Sequence, residues 1–550
     1  DFDEAEKHYQ EALNIAPDDP QIVRQVAEFY LRTGRAESAR VQLERITSGQ
    51  VRASENDLLW GRRSIALILA AQGGYENLQK GLELIRQNRA AGQSSTIQDL
   101  RAEALLLTAY PQRKKRLEGR ELLEKVVAES PQATADDRFV LAQLYMADGD
   151  VVNAARHMRS LLAARGDDPR YLRAYVAFLL DQSQLSEAEA WLGRLEKLAP
   201  EAFSTLALRA RLLTLQGRYD EAIQRLQEFA EKDMDETASN TSPSPAASDN
   251  QGDVSSPENG AAAAEQAARV QQLRWALAGD ALESLGQTLQ RSGKTDESKR
   301  YFDEAEKLYR RFVEKNPEAR LLLASFLARH GKLAEGLEIF EAAWETAEVA
   351  LIRAAAQVFL GLASDDRATA DRVEAVVEKA LEKHQRPLSL LLVLADAYGI
   401  QGQIDRSEAI YREVLQRDPR NVIALNNLGV ILALQGTKLE EAEKLVRSAI
   451  DIVGPAGNLL DSYAIVLIAR NKASEAMKVL TDAIEDQPVP ILFLRQAQAY
   501  DLLGQREAAI GAFQEAVKRG LKREFLHPLE RKVFDKFQSL VAQQEPSKPS

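Results

Sequence analysis

Moved along itself by 34 residues, the chain meets its own pattern again. Ala154, Ala188 and Ala222 fall into one column, Met158, Leu192 and Leu226 into a second, and Leu161, Leu195 and Phe229 into a third. The opening stretch joins in, because Ala5, Tyr9 and Ala12 map onto Ala39, Leu43 and Ile46. Within each copy the columns are spaced by four and then three residues, so they share one face of a helix. A further column, Tyr145, Leu179 and Leu213, lies upstream, and Gly149 and Gly217 follow the first and last of these by four residues. Each unit therefore reads as two helices joined at a turn, where glycine supplies positive φ. Pro17, Pro131, Pro200, Pro419 and Pro488 stand where a second helix must stop. A lone hairpin cannot bury its apolar face, so each must stack on the next, and a repeating chain of this length holds about fifteen such units.

The consensus of small, x3, aromatic or Leu, x2, small or apolar, x4, Pro is best seen in "LAQLYMADGDVVNAARHMRSLLA" (141–163) and "RARLLTLQGRYDEAIQRLQEFA" (209–230). It resembles the tetratricopeptide repeat, and the resemblance extends over most of the chain. Residues 57–92, 96–131 and 348–385 fit it loosely. The resemblance implies an all-α, right-handed superhelical solenoid of helix-turn-helix repeats, in which first helices line a concave groove for extended peptides or partner helices.

The expected organisation is an N-terminal block over 1–233, whose residues 1–17 form a half repeat, and a C-terminal block over 264–520. The start is read as the second helix of a hairpin whose first helix is absent. Its echo at 301–317 follows Gly293, which lies 38 residues before Gly331, so the helix ending before Pro317 is expected to run one turn long. Between the blocks, residues 234–263 are rich in Ser, Pro, Asn, Asp and Ala and poor in bulky apolar side chains, and predict a disordered acidic linker. Residues 521–543 have helical periodicity suited to a capping helix, and 544–550 to a frayed tail.

Charge narrows the partners. The formal net charge is -12, and the window 231–260 holds seven acids against one base, half of the imbalance. No basic face for duplex nucleic acid is indicated, and no apolar run is long enough to insert into a membrane. The absence of cysteine excludes disulfides, thiolate zinc sites and a cysteine nucleophile.

No catalytic pattern is assembled. Gly293, Lys294 and Thr295 end like a phosphate loop, but Thr288 stands where its earlier glycine belongs. His8, His157, His330, His384 and His527 are scattered, without the spacing that puts two metal ligands on one helical face. Glu440 and Glu441 belong to the first turn of a helix, where the macrodipole favours them. The basic run "QRKKR" (112–116) is expected to be a solvated turn after Pro111, and Tyr145, Tyr398 and Tyr500 are expected in the core. No catalytic, cofactor or metal site is expected.

Carried onto this sequence, the family's groove positions are Arg24, Gln25 and Glu28; Arg170 and Arg173; Asn426 and Asn427; Asn458, Asp461 and Gln498. Two known variants of such grooves do not match. The clamp for a C-terminal carboxylate needs a Lys where Leu392, Arg24 or Phe139 stands, and an asparagine ladder is broken by Val393, Ser462 and Arg495. The expected function is a non-enzymatic scaffold that binds protein or peptide partners in its groove. Two alternatives are the recruiting arm of an enzyme whose catalytic domain lies upstream of residue 1, and a bacterial factor for envelope polysaccharide or surface-protein export. The chain is expected to be soluble, in a bacterial cytoplasm or periplasm.

Overall fold

Local signals set the helix boundaries. Asp19 opens the helix Pro20–Arg32 by accepting from the backbone N–H of Gln21 at 2.8 Å, and Ser54 and Thr134 form reciprocal capping boxes with Asp57 and Asp137. At the turns, Gly217 has φ +79 and its N–H bonds Thr214 O at 3.1 Å while Arg218 N–H bonds Leu213 O at 2.8 Å. Asn471 adopts the same left-handed geometry at φ 60, so the turn persists where the sequence pattern has no glycine.

The computed structural model describes residues 2–89, 96–129, 133–232, 257–363 and 366–544. Among these it contains 28 α-helices and no strand. Phe2–Ile15 and Arg531–Gln544 stand singly, and the others pair into thirteen helical hairpins. Several helices outgrow the repeat. Glu55–Gln72 has 18 residues, Arg113–Glu129 and Arg367–Lys383 have 17, and the hairpin Pro257–Arg291 with Thr295–Lys315 has 35 and 21. The helix before Pro317 is thus longer than Tyr219–Glu231, with 13 residues, by about two turns instead of one. Its Ala305 and Tyr309 are buried, and Phe312 packs against the same cluster.

The repeat columns form the core. Ala154, Met158, Ala188, Leu192, Leu195, Ala222 and Leu226 are fully buried. Small residues sit where helices cross most closely. A Cβ on Gly336 would lie 2.6 Å from the Ala324 carbonyl oxygen, and one on Gly429 2.6 Å from Val446.

Residues 234–256 of the expected linker, residue 233 before it, and the tail from 545 lie outside the described residues. Residues 257–263, assigned above to the linker, belong to the helix Pro257–Arg291: proline suits the first turn, and Ala261–Ala264 is a strong helix-forming run. The insertion does not interrupt stacking. Ala222, Ile223, Leu226 and Ala230 before it share one core with Ala278, Leu282, Leu285 and Tyr301 after it.

Contacts divide the chain into two units, Asp1–His157 with Tyr398–Ser550, and Met158–Ala397. The boundaries therefore do not follow the linker, because units of a solenoid are set by stacking and not by interruptions in the sequence. Within the first unit, Tyr75–Gln87 packs on Leu439–Val453, and Arg113–Glu129 on Ala473–Asp486. Asp486 accepts from the backbone N–H of Arg113 and from the Arg116 guanidinium at 3.2 Å. The basic run is accordingly not a solvated turn. It opens a helix, and an acid 370 residues away in sequence caps it.

In the second unit, buried Glu283 accepts from Arg329 at 2.9 Å and pairs with His330 Nε2 at 2.8 Å, while His330 packs between Phe302 and Phe326. Burial alone would raise the Glu283 carboxyl, but the hydrogen bonds from His330 and Arg329 hold it at about 2. Its charge favours the folded state above the ordinary carboxylate value of 4.5, and this contribution is lost as pH falls from there towards 2. Acid titration followed by circular dichroism should show Glu283→Gln losing less stability than the parent over that window. Parallel curves would show that the carboxylate has no such role.

Candidate functional site

First helices of successive hairpins lie side by side, so a side chain pointing out of one can reach the next. Near the N-terminus these positions carry a ladder. Arg24 pairs with Asp57, Arg63 with Asp99 at 3.1 Å, and Arg101 with Asp137 at 2.7 Å, each bridging 33 to 36 residues. Arg24 also holds Glu28 at 3.0 Å and lies 4.7 Å over the Trp60 ring. Hydrogen bonds from Ser54 and then Arg24 keep the Asp57 carboxyl below its ordinary range. Arg24 and Glu28 are thus committed to neighbours, while Gln25 is exposed. Each acid of the ladder is the fourth residue of a Ser- or Thr-x-x-Asp cap, with an arginine some 35 residues before it. That signal was available in the sequence, and reading each helix alone missed it.

In the second unit the first helices leave an open groove. Arg173 and Ala177 from Pro169–Asp181, Ser204, Ala207, Leu208 and Arg211 from Phe203–Leu215, and Ala281, Ser284 and Leu285 from Pro257–Arg291 enclose about 380 Å³. The floor is small and apolar, and arginines stand at its edge. Arg211 is paired with Asp181. Arg173, half-buried, has no carboxylate at ion-pair distance among the described residues. On the third helix Leu273, Leu277, Ala281 and Leu285 follow at intervals of four, and Leu273 is 57% exposed. Arg170, named together with Arg173 from spacing, turns back to its own cap, Asp168, at 2.8 Å.

A larger hollow of about 630 Å³ lies on second helices of the same unit, between Asp220, Glu304, Glu306, Lys307, Arg310 and Lys332. Its charges satisfy one another: Lys332 pairs with Glu306 at 2.6 Å, and Arg310 with Glu306 at 2.8 Å and Glu335 at 2.6 Å. It offers a ligand little unspent charge.

The first-helix face of the other unit is filled. Asn427 donates to Tyr411 at 3.2 Å and Asn426 to Asn427 at 3.0 Å. Asp461 accepts from Arg495 at 3.0 Å, and Gln498 accepts from it at 3.2 Å. Asp461 and Gln498 are thus brought together by Arg495, a residue noted in the sequence only for breaking an asparagine ladder. Asn458 is exposed. Arg495 is buried and also pairs with Glu530.

Among the described residues, no group of three or more His, Asp or Glu is placed to hold a metal ion, and no helix is long and apolar enough to cross a membrane.

Family models described as tetratricopeptide repeat match residues 1–52, 285–350 with 392–456, and 492–519. A model for ChAPs (Chs5p-Arf1p-binding proteins) matches 80–281. Among curated proteins, cellulose synthase 1 operon protein C of Komagataeibacter xylinus is 34% identical over 99 residues, 18% of this chain and only 7% of that protein. Among solved structures, yeast Tom70 is 16% identical with a TM-score of 0.34, covering 82% of this chain and 96% of that chain. A tetratricopeptide repeat protein from Parabacteroides merdae, also 16% identical, has a TM-score of 0.35 and covers 48% of this chain and 98% of that one.

Proposed function

The chain belongs to the tetratricopeptide-repeat proteins, and from that premise we propose that it is a protein-binding scaffold whose open groove at Arg173 and Arg211 takes an acidic segment of a partner. The observation that carries this reading is the combination in one hollow of an arginine without an ion-pair partner, a second arginine at the edge and a floor of alanine and leucine. A peptide laid across three first helices would bury small apolar side chains on that floor and direct a carboxylate to Arg173.

Panning a random peptide library on the full chain tests this. The expected selection is an acidic residue flanked by small apolar ones, and Arg173→Glu with Arg211→Glu should weaken the selected peptides by at least about tenfold with thermal unfolding little changed. Selected peptides that bind the double variant as well as the parent would rule out this groove.

A second reading has one specific support. The matched stretch of a protein named for a cellulose synthase operon favours, among the alternatives, a role in assembling or exporting envelope polysaccharide. Scaffolding is compatible with it, since the groove would recruit a protein of such an assembly.

A further inference from the structure

The C-terminal segment does more than close the stack. Past the last hairpin, Pro490–Leu502 with Arg506–Lys518, the chain runs through Leu526, which is buried with Phe513, Phe534 and Phe537, and reaches the short turn Pro528–Glu530. A helix that only capped the array would touch its immediate neighbour. This turn instead crosses several first helices. Glu530 pairs with Arg495 on the last of them, and Arg495 carries the contact on to Asp461 on the one before. The turn packs on Val422–Gln435, and His527 Nε2 would lie 3.9 Å from a Cβ on Gly399, one hairpin further back. The four residues thus touch three hairpins directly and a fourth through Arg495, as a bound ligand does in a groove of this kind.

The charge pattern identifies what fits there. Arg495 is 2% exposed, and Asp461 alone leaves much of its guanidinium fork unused. Gln498 takes one N–H at 3.2 Å, and the second charge beside the guanidinium is that of Glu530, itself 7% exposed and paired with it. A buried guanidinium requires that second carboxylate, and the chain provides its own.

We propose that the turn His527–Glu530 is an internal occupant of a second groove, and that this groove receives an extended acidic segment of a partner protein whose carboxylate replaces Glu530 on Arg495. The site is separate from the groove at Arg173 and would stand or fall independently of it. As long as the tethered turn is docked, its effective concentration is of millimolar order, so a partner must compete with it.

The test uses the full chain and a fluorescent synthetic peptide of residues 521–535. The parent chain should bind the peptide at least about tenfold more weakly than the Glu530→Gln chain, in which the internal occupant has lost its charge. A peptide carrying the same Glu530→Gln change should in turn bind the variant chain about tenfold more weakly than the unmodified peptide. Hydrogen exchange at 526–529 is followed in parallel, and should quicken in the Glu530→Gln chain. Unchanged exchange would mean that the Arg495 pair does not hold the turn in place, and the proposal fails. Faster exchange without peptide binding, or equal binding by parent and variant, would overturn it as well. Arg173→Glu should leave this binding unaltered, which separates the two grooves.

Discussion

Replacing Arg495 with alanine is expected to destabilise the C-terminal hairpins by about 3–5 kcal/mol. The reason lies less in the attraction lost than in the charges left behind: Asp461 and Glu530 would both remain against a site from which water is largely excluded. Because a stack of hairpins transmits stability chiefly to neighbours, the loss should be local. Hydrogen exchange should rise across roughly residues 457–544 and stay unchanged at the Arg63–Asp99 rung. Arg495→Met combined with Asp461→Leu and Glu530→Leu should recover most of the stability, since an apolar replacement of the whole cluster removes the unpaired charges. If alanine alone had little effect, the cluster would be solvated and of small energetic weight.

Gly119→Val should be comparably damaging, for a steric reason. A Cβ at Gly119 would stand 2.9 Å from the Ala104 carbonyl oxygen, the Leu107 Cβ and the Thr108 nitrogen, so backbone and not a flexible side chain must yield. Forcing Ile97–Thr108 and Arg113–Glu129 apart in this way should cost about 3 kcal/mol and lower the thermal midpoint. Gly193 offers the internal contrast. It lies inside Leu185–Leu198 with nothing within 4 Å of its added Cβ, and Gly193→Ala should gain about 0.5–1 kcal/mol from helix propensity. Equal melting shifts for the two substitutions would refute the crossing argument.

Much of this architecture was legible because hairpin packing is local. The columns at Ala154, Ala188 and Ala222 are short-range patterns, repeated, and they became core. What escaped was non-local. The run at 112–116 has no local mark that its cap is Asp486, and by composition it is indistinguishable from a solvated charge cluster. Residues 257–263 were hidden by the Ser- and Pro-rich stretch before them, which outweighed four alanines. Among groove positions, spacing located Arg173 but not Arg211, which lies one helical turn past Ala207 in the equivalent column. Spacing also named Asp461 and Gln498 without their common partner. A column-by-column reading treats Arg495 as a mismatch, whereas its burial between two carboxylates makes it the centre of the cluster.

The cap that Asp486 places on Arg113–Glu129 has a further consequence, for the order of events during synthesis. The helix and its cap are separated by the 370 residues between Arg116 and Asp486, so at roughly 5–20 residues per second the start of that helix waits about 20–75 s on the ribosome for its partner. Meanwhile every hairpin of Met158–Ala397 can emerge and stack on its predecessor. The first unit to begin is therefore finished after the second, and a chaperone that guards nascent chains would find the basic run at 112–116 uncovered until Asp486 emerges.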